Sequence, residues 1–445
     1  MKWSEEWLDN FKIRLSAGSM GNGNVDPYSY TSEMTVVTAS DIVLGGGLPS
    51  YTTVGSTVPV SLTWEKSTTY DLGLDLDFLN NRLSFSGDYY RRYTTDMYTP
   101  SISLPSVYGT TSPKGNNAEL RTTGWELSLT WRDSFKLGGK PFDYSIKAMV
   151  WDNRTVVTKY ENATRSLGTL KGYIQNGGSP SDFYEGMELG EMWGYTVAGL
   201  FRDQADIDSS ATHDFTQASD KVTRPGQVKI ADLDHNGNID PGAFTADDHG
   251  DLSIIGNINP HYMFGVNLAA NWNGIGLSVF LQGVMKRDWY PSPDSGYFWG
   301  KYARPFMWVL GIHNYTDDMY SEEKNNWDTA YWPRMTTYQS NSSYSWTKLL
   351  EIPNTRYKQN AAYLRVKNIQ VDYTFPKALC QKIRLGGLKI YLSGENLFTF
   401  TPLHKYAPNF DPEALGYDTD FSSTAGDGYT YPVLKSVTLG VNITF

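Results

Sequence analysis

A single cysteine, Cys380, stands in a chain of 445 residues, which excludes a disulfide framework and a thiolate metal site. Its expected role is packing or a turn. No apolar run of about 18 residues occurs, so no helix is expected to cross a membrane. Basic charge is also short. Lys and Arg number 38 against 48 Asp and Glu, and the net charge of -10 has the wrong sign for an open nucleic-acid groove. His213, His235, His249, His261, His313 and His404 show neither HExxH nor paired spacing, and no serine occupies a GxSxG elbow. Catalysis is therefore not expected. The opening MKWSEEWLDNFKIRL lacks a charged stretch followed by an apolar one, so the address of an exported protein would have to lie outside this sequence.

Aromatic residues are plentiful, at 14% of the chain with 31 tyrosines and 14 tryptophans, and 41 glycines suit turns and tight lumenal packing. The mean hydropathy of -0.44 is no sign of solubility, because barrel strands hide their hydrophobicity in alternation. The last residues, VTLGVNITF, put Val437, Leu439, Val441, Ile443 and Phe445 on one face and Thr438, Gly440, Asn442 and Thr444 on the other. The same period recurs from Phe11 to Ala17, Tyr70 to Phe78, Leu83 to Tyr89, Trp125 to Trp131 and Tyr144 to Val150. It returns from Phe264 to Trp272, Ile275 to Leu281 and Leu388 to Leu392. A further strand over 363–375 changes phase, which predicts a β-bulge near Lys367 and Asn368. Ten strands are expected in all.

Their links alternate in length. Those at 79–82, 133–141, 273–274 and 376–387 are short, whereas 19–69, 96–122, 153–261, 285–362 and 398–435 are long. Short turns at one end and long loops at the other suit an antiparallel transmembrane β-barrel with long extracellular loops better than a soluble sandwich. Trp125 with Trp131, and Phe264 with Trp272, bracket strand faces as interfacial rings do. A secreted, Ca²⁺-stabilised soluble β protein that binds glycans is the alternative.

Two loop features carry chemistry. DLDHNGNID places Asp232, Asp234 and Asn236 at positions 1, 3 and 5 of an EF-hand-like loop, with Gly237 at the sharp turn, the Asn238 carbonyl next and Asp240 at position 9. Hard oxygens at that spacing suit Ca²⁺. Ala243 stands where the bidentate carboxylate belongs, so Asp248, with Asp247 and Asp251 beside it, must replace it through an insertion. An Asx-rich turn without an ion is the alternative reading. The second feature is the ring-rich link 285–362, where Trp289, Tyr290, Tyr297, Trp299, Trp308, Trp327 and Trp332 could stack on sugars or grip peptide side chains. They could equally pack the loop on itself or on a lid.

Several ordered segments resemble one family, the SusC/RagA-like TonB-dependent transporters of the outer membrane. They are FKIRLSAGSMGNGNVDPYSY, LTWEKSTTYDLGLDLDFLNNRLSFSGDYYRRYTTDMY, LRTTGWELSLTWR, DLDHNGNID with IIGNINPHYMFGVNLAANWNGIGLSVFLQG, YLSGENLFTFT and PVLKSVTLGVNITF. The resemblance implies a plugged barrel of roughly 22 strands. Residues 1–445 would then be a C-terminal portion of that barrel, with the plug, the early strands and the TonB-contacting region outside this sequence. It also implies a SusD-like surface lipoprotein as partner, TonB coupling through the absent region, and glycans or oligopeptides as cargo.

Overall fold

The structure is a computed structural model that describes residues 7–23, 31, 34–54, 62–100, 114–167, 183–213, 223–291, 298, 318–334, 353–415 and 431–445. Ten strands form one antiparallel meander in chain order. They are β1 (Leu8–Asn22), β2 (Glu65–Phe78), β3 (Leu83–Pro100), β4 (Lys114–Leu137), β5 (Lys140–Lys159), β6 (His261–Trp272), β7 (Ile275–Lys286), β8 (Tyr363–Thr374), β9 (Gly387–Phe400) and β10 (Ser436–Thr444). β1 and β10 are the two edges of this wall, as in a barrel wall that is not closed upon itself.

The short connections are made by residues that tolerate left-handed backbone. Asn273 and Gly274 both have positive φ, at 49° and 88°, as a two-residue hairpin with the twist of its strands requires. Gly138 and Gly139, at 60° and 77°, turn the chain between β4 and β5. The sequence pattern places this short link at 133–141. The strands nevertheless continue to Leu137, and Phe135 pairs with Phe142 across the hairpin with ring centroids 5.0 Å apart. The predicted bulge is present: the β8 register slips between Val366 and Asn368, opposite a slip between Phe280 and Leu281 on β7. Cys380 is buried on the one-turn helix Lys377–Lys382, within the short link between β8 and β9.

The apolar face of the wall looks outward. Leu15 is 79% exposed, Leu439 72% and Phe445 94%. The inner face is polar and cross-linked: Arg14 reaches Asp75 at 2.8 Å and Asp88 at 2.7 Å, and Lys389 reaches Asp372 at 3.0 Å. Two inner-face glycines leave room for these side chains. A Cβ on Gly73 would strike the Arg14 guanidinium, and one on Gly440 would strike the Tyr391 ring.

The hydrophobic core lies instead in the connections beyond the wall, on the side of the long links. Met192, Tyr195, Phe298, Tyr357, Ala361 and Leu403 are each 0% exposed there. Short ladders frame it: Glu191–Tyr195 pairs with Leu252–Asn257, Val197–Leu200 with Val228–Ile230, and Asp288–Trp289 with Gln359–Asn360. The long links are thus a folded layer. Their order was not visible as period-2 patterning because their segments are short and buried on both sides.

Candidate functional site

The acidic turn grows from the end of the Val228–Ile230 strand. His213 fixes that end: its ring Nε2 accepts the Ile230 N–H at 2.9 Å and its Nδ1–H donates to the Ala211 carbonyl at 2.8 Å. Both bonds need a neutral ring, and burial lowers the imidazole pKa below its ordinary value. The turn then coils through left-handed positions, His235 at φ 59° and Gly237 at φ 84°. Its amides are taken by side chains, Gly237 N–H by Asp232 at 3.1 Å, Asn236 N–H by Asp234 at 3.0 Å and Asn238 N–H by Asn236 at 2.7 Å. Thr212–His213 pairs in parallel with Asn238–Ile239, and Ile239, 1% exposed, plugs the turn into the core.

Asp251 closes the site from beneath. Fully buried, it accepts the Leu233 N–H at 2.6 Å through one oxygen and the Asp240 N–H at 2.9 Å through the other. Oxygens of Asp232, Asp234 and Asp251 lie within 4.8 Å of one another. The Oδ1 of Asp232 is buried with no hydrogen-bond partner among the described residues. Asp240 stays close, accepting from Gly242 N–H at 2.7 Å and from the Asn236 side chain at 3.3 Å. Asp248 is not in this group. It is exposed, its N–H donates to the Thr245 hydroxyl at 3.0 Å, and its carbonyl accepts from the Thr245 N–H. The sequence offered Asp251 only as one of three acids after Ala243. What singles it out is burial at the start of the 252–257 strand, which spacing does not show.

The candidate rings divide. Trp289, Tyr290 and Trp332 are 5%, 3% and 1% exposed and belong to the core of the layer. Trp332 stacks on Tyr357 at 5.6 Å and meets Phe298 edge-on at 5.4 Å. Trp327 packs against the core while partly exposed. Tyr297, Trp299 and Trp308 lie outside the described residues. Tyr331, another ring of the 285–362 link, holds the layer together as well: it lies flat on Tyr406 at 3.6 Å, and Arg356 donates to its carbonyl at 2.8 Å. At the layer's foot, Glu191 accepts from the Tyr184 hydroxyl at 2.5 Å and the Glu188 N–H at 2.8 Å. Burial raises its pKa all the same, with these bonds pulling the other way.

A lipid-facing wall beneath a folded outer layer can be compared with known proteins. The family described as "TonB dependent receptor-like, beta-barrel" matches residues 3–247, more than half of the chain. The chain belongs to this family. TonB-dependent receptor barrels of this SusC/RagA-like kind reside in the outer membrane, and the outward apolar face of the wall fits that solvent. The family consists of receptors and transporters rather than enzymes. Among curated relatives, TonB-dependent receptor P3 of Formosa agariphila is 26% identical over 98% of this chain and 40% of its own length. TonB-dependent receptor SusC of Bacteroides thetaiotaomicron is 24% identical over 98% of this chain and 38% of its own. The chain thus spans about two-fifths of the curated relatives it matches. The RagAB peptide importer in its open-open state shares the fold, with a TM-score of 0.67 at 20% identity over 100% of this chain and 41% of that one.

Proposed function

We propose that this chain supplies part of the wall and the outer bowl of an importer that takes up glycans or oligopeptides, with a SusD-like surface lipoprotein as lid and TonB as the source of drive. The observation that carries the reading is the folded layer standing on one end of a lipid-facing wall. A layer with its own core presents a preorganised surface, so cargo need not order it on binding. The kinship with SusC and the shared fold with a peptide importer support the cargo classes and the lid. Within the layer, partly exposed Trp327 is the described candidate ring placed to touch cargo, whereas Trp289, Tyr290 and Trp332 act by holding the bowl in shape. The complex extracted from native outer membranes should bring a surface lipoprotein with it. Uptake of labelled oligopeptide or glycan should stop when this protein or TonB is removed. Uptake of every labelled cargo unchanged in both deletions would overturn the reading.

The acidic turn serves the same architecture if it holds Ca²⁺. The residues fit the ion: an orphan buried oxygen on Asp232, two further carboxylates converging on it, and hard oxygen donors throughout. Asp232, Asp234 and Asp251 would bind directly, with Asn236, Asn238 and Asp240 bordering the site. The ion would pin the turn to the layer.

A further inference from the structure

We propose that the outer wall carries a specific lipid site, in which a phospholipid of net negative headgroup charge in the outer leaflet lays an acyl chain on Leu15 and Leu72 and its headgroup on Arg91. A groove of about 680 Å³ opens there on the outward face of β1, β2 and β3, rimmed by Tyr70, Tyr89 and Tyr93. Register assembles it. Leu15 lies opposite Leu72 and Leu72 opposite Tyr89, while Tyr70 lies opposite Arg91, so all of these side chains share the apolar face.

Height gives the groove its meaning. From Phe78, where the Trp7 ring stacks at 5.5 Å near the short-turn end, up to Tyr70 is eight residue steps along β2. At about 2.5 Å of height per tilted residue this is roughly 20 Å, close to the upper edge of an apolar band about 25 Å tall. Arg91 therefore stands on the lipid face at the level where the outer leaflet's headgroups begin. Its guanidinium donates to the Tyr89 hydroxyl at 3.3 Å, and among the described residues no carboxylate forms an ion pair with it. Asp71, though adjacent, pairs with Ser16 in the register of the inner face.

A cation on a lipid face demands a counter-charge, and at this depth the anions within reach are those of lipids. The planar guanidinium suits a phosphate, and the tyrosine hydroxyls add donors. The floor is apolar and open, with Leu15 79% and Leu72 49% exposed. That is a place for a chain, set directly beside a place for a phosphate.

The protein extracted from its native outer membrane and placed in nanodiscs of phosphatidylglycerol or phosphatidylcholine with matched chains tests this. Native mass spectrometry should find phosphatidylglycerol retained about tenfold over phosphatidylcholine. Arg91→Gln should abolish that preference. Arg92→Gln, which removes a neighbour on the inner face bonded to the Thr69 hydroxyl, should keep it. Leu72→Trp fills the floor without touching the charge and should reduce retention of both lipids. Resistance to unfolding in unheated dodecyl sulfate reports that each variant is a folded barrel. If Arg91→Gln does not fold, the wild-type preference alone decides. Equal retention of both lipids by the wild type, an unchanged preference in Arg91→Gln, or a lipid-free dimer would each overturn the proposal.

Discussion

Single side chains decide how the outer layer responds to solution conditions. His213 is 6% exposed and bound at both ring nitrogens in its neutral form, so its folded pKa lies below the ordinary 6.5. The unfolded chain binds the proton first as pH falls. The stabilisation from the neutral ring is thus present above about pH 6.5 and lost below it, by at most about 1.4 kcal/mol per pH unit. Thermal melts of the layer between pH 7.5 and 5.5 should show that loss, and His213→Asn should flatten it. At the acidic turn, Ca²⁺ at a hundredfold excess over its dissociation constant should stabilise the layer by about 2.7 kcal/mol. Asp234 is exposed and, among the described residues, bonds only within the turn, to Asn236. Asp234→Asn should therefore remove the Ca²⁺-dependent shift while changing the ion-free melt by less than about 0.5 kcal/mol. The Asx pattern made Asp232 and Asp234 legible in the sequence. Asp251 was not singled out, because its claim rests on burial and on two amides brought from distant points of the chain.

At the scale of elements, patterning revealed what a long strand must display and nothing of what a short buried segment conceals. Each wall strand repeats its period often enough to be read, and the phase change at Lys367 and Asn368 was visible for the same reason. Contacts between a strand and a distant loop leave no such trace. Arg365, 2% exposed on β8, pairs with Asp411 at 2.5 Å and Glu413 at 3.4 Å, and Lys367 joins Glu413 at 2.6 Å. This buried cluster ties the segment after β9 against the wall, helped by Arg287 donating to the Pro412 and Leu415 carbonyls. Removing one partner strands a buried charge, which costs about 3–5 kcal/mol. Arg365→Ala should accordingly release residues 402–415, seen as faster amide exchange there with the wall unchanged. The inner face offers a complementary test. Because the Tyr391 ring lies on Gly440, Gly440→Val should destabilise the β9–β10 hairpin by about 1–3 kcal/mol through overpacking. Tyr391→Ala added to it should recover most of the loss.

The whole molecule joins two solvation regimes end to end. The wall turns Leu15, Leu439 and Phe445 outward and satisfies its backbone through strand pairing, so lipid or detergent is its solvent. The outer layer is built in the ordinary sense, with Met192, Tyr195, Trp332 and Tyr357 withdrawn from water. The two should fail separately. Urea weakens burial from water but leaves an apolar face in a micelle largely solvated as before. In detergent, rising urea should first abolish the near-ultraviolet signal of the packed tryptophans and tyrosines and leave the far-ultraviolet strand signal. The strand signal should go only at higher denaturant or on heating in dodecyl sulfate. Coincident loss of both signals at one urea concentration would mean that the wall depends on the layer for its stability. The lipid-solvated wall and the bowl would then be one cooperative unit rather than two.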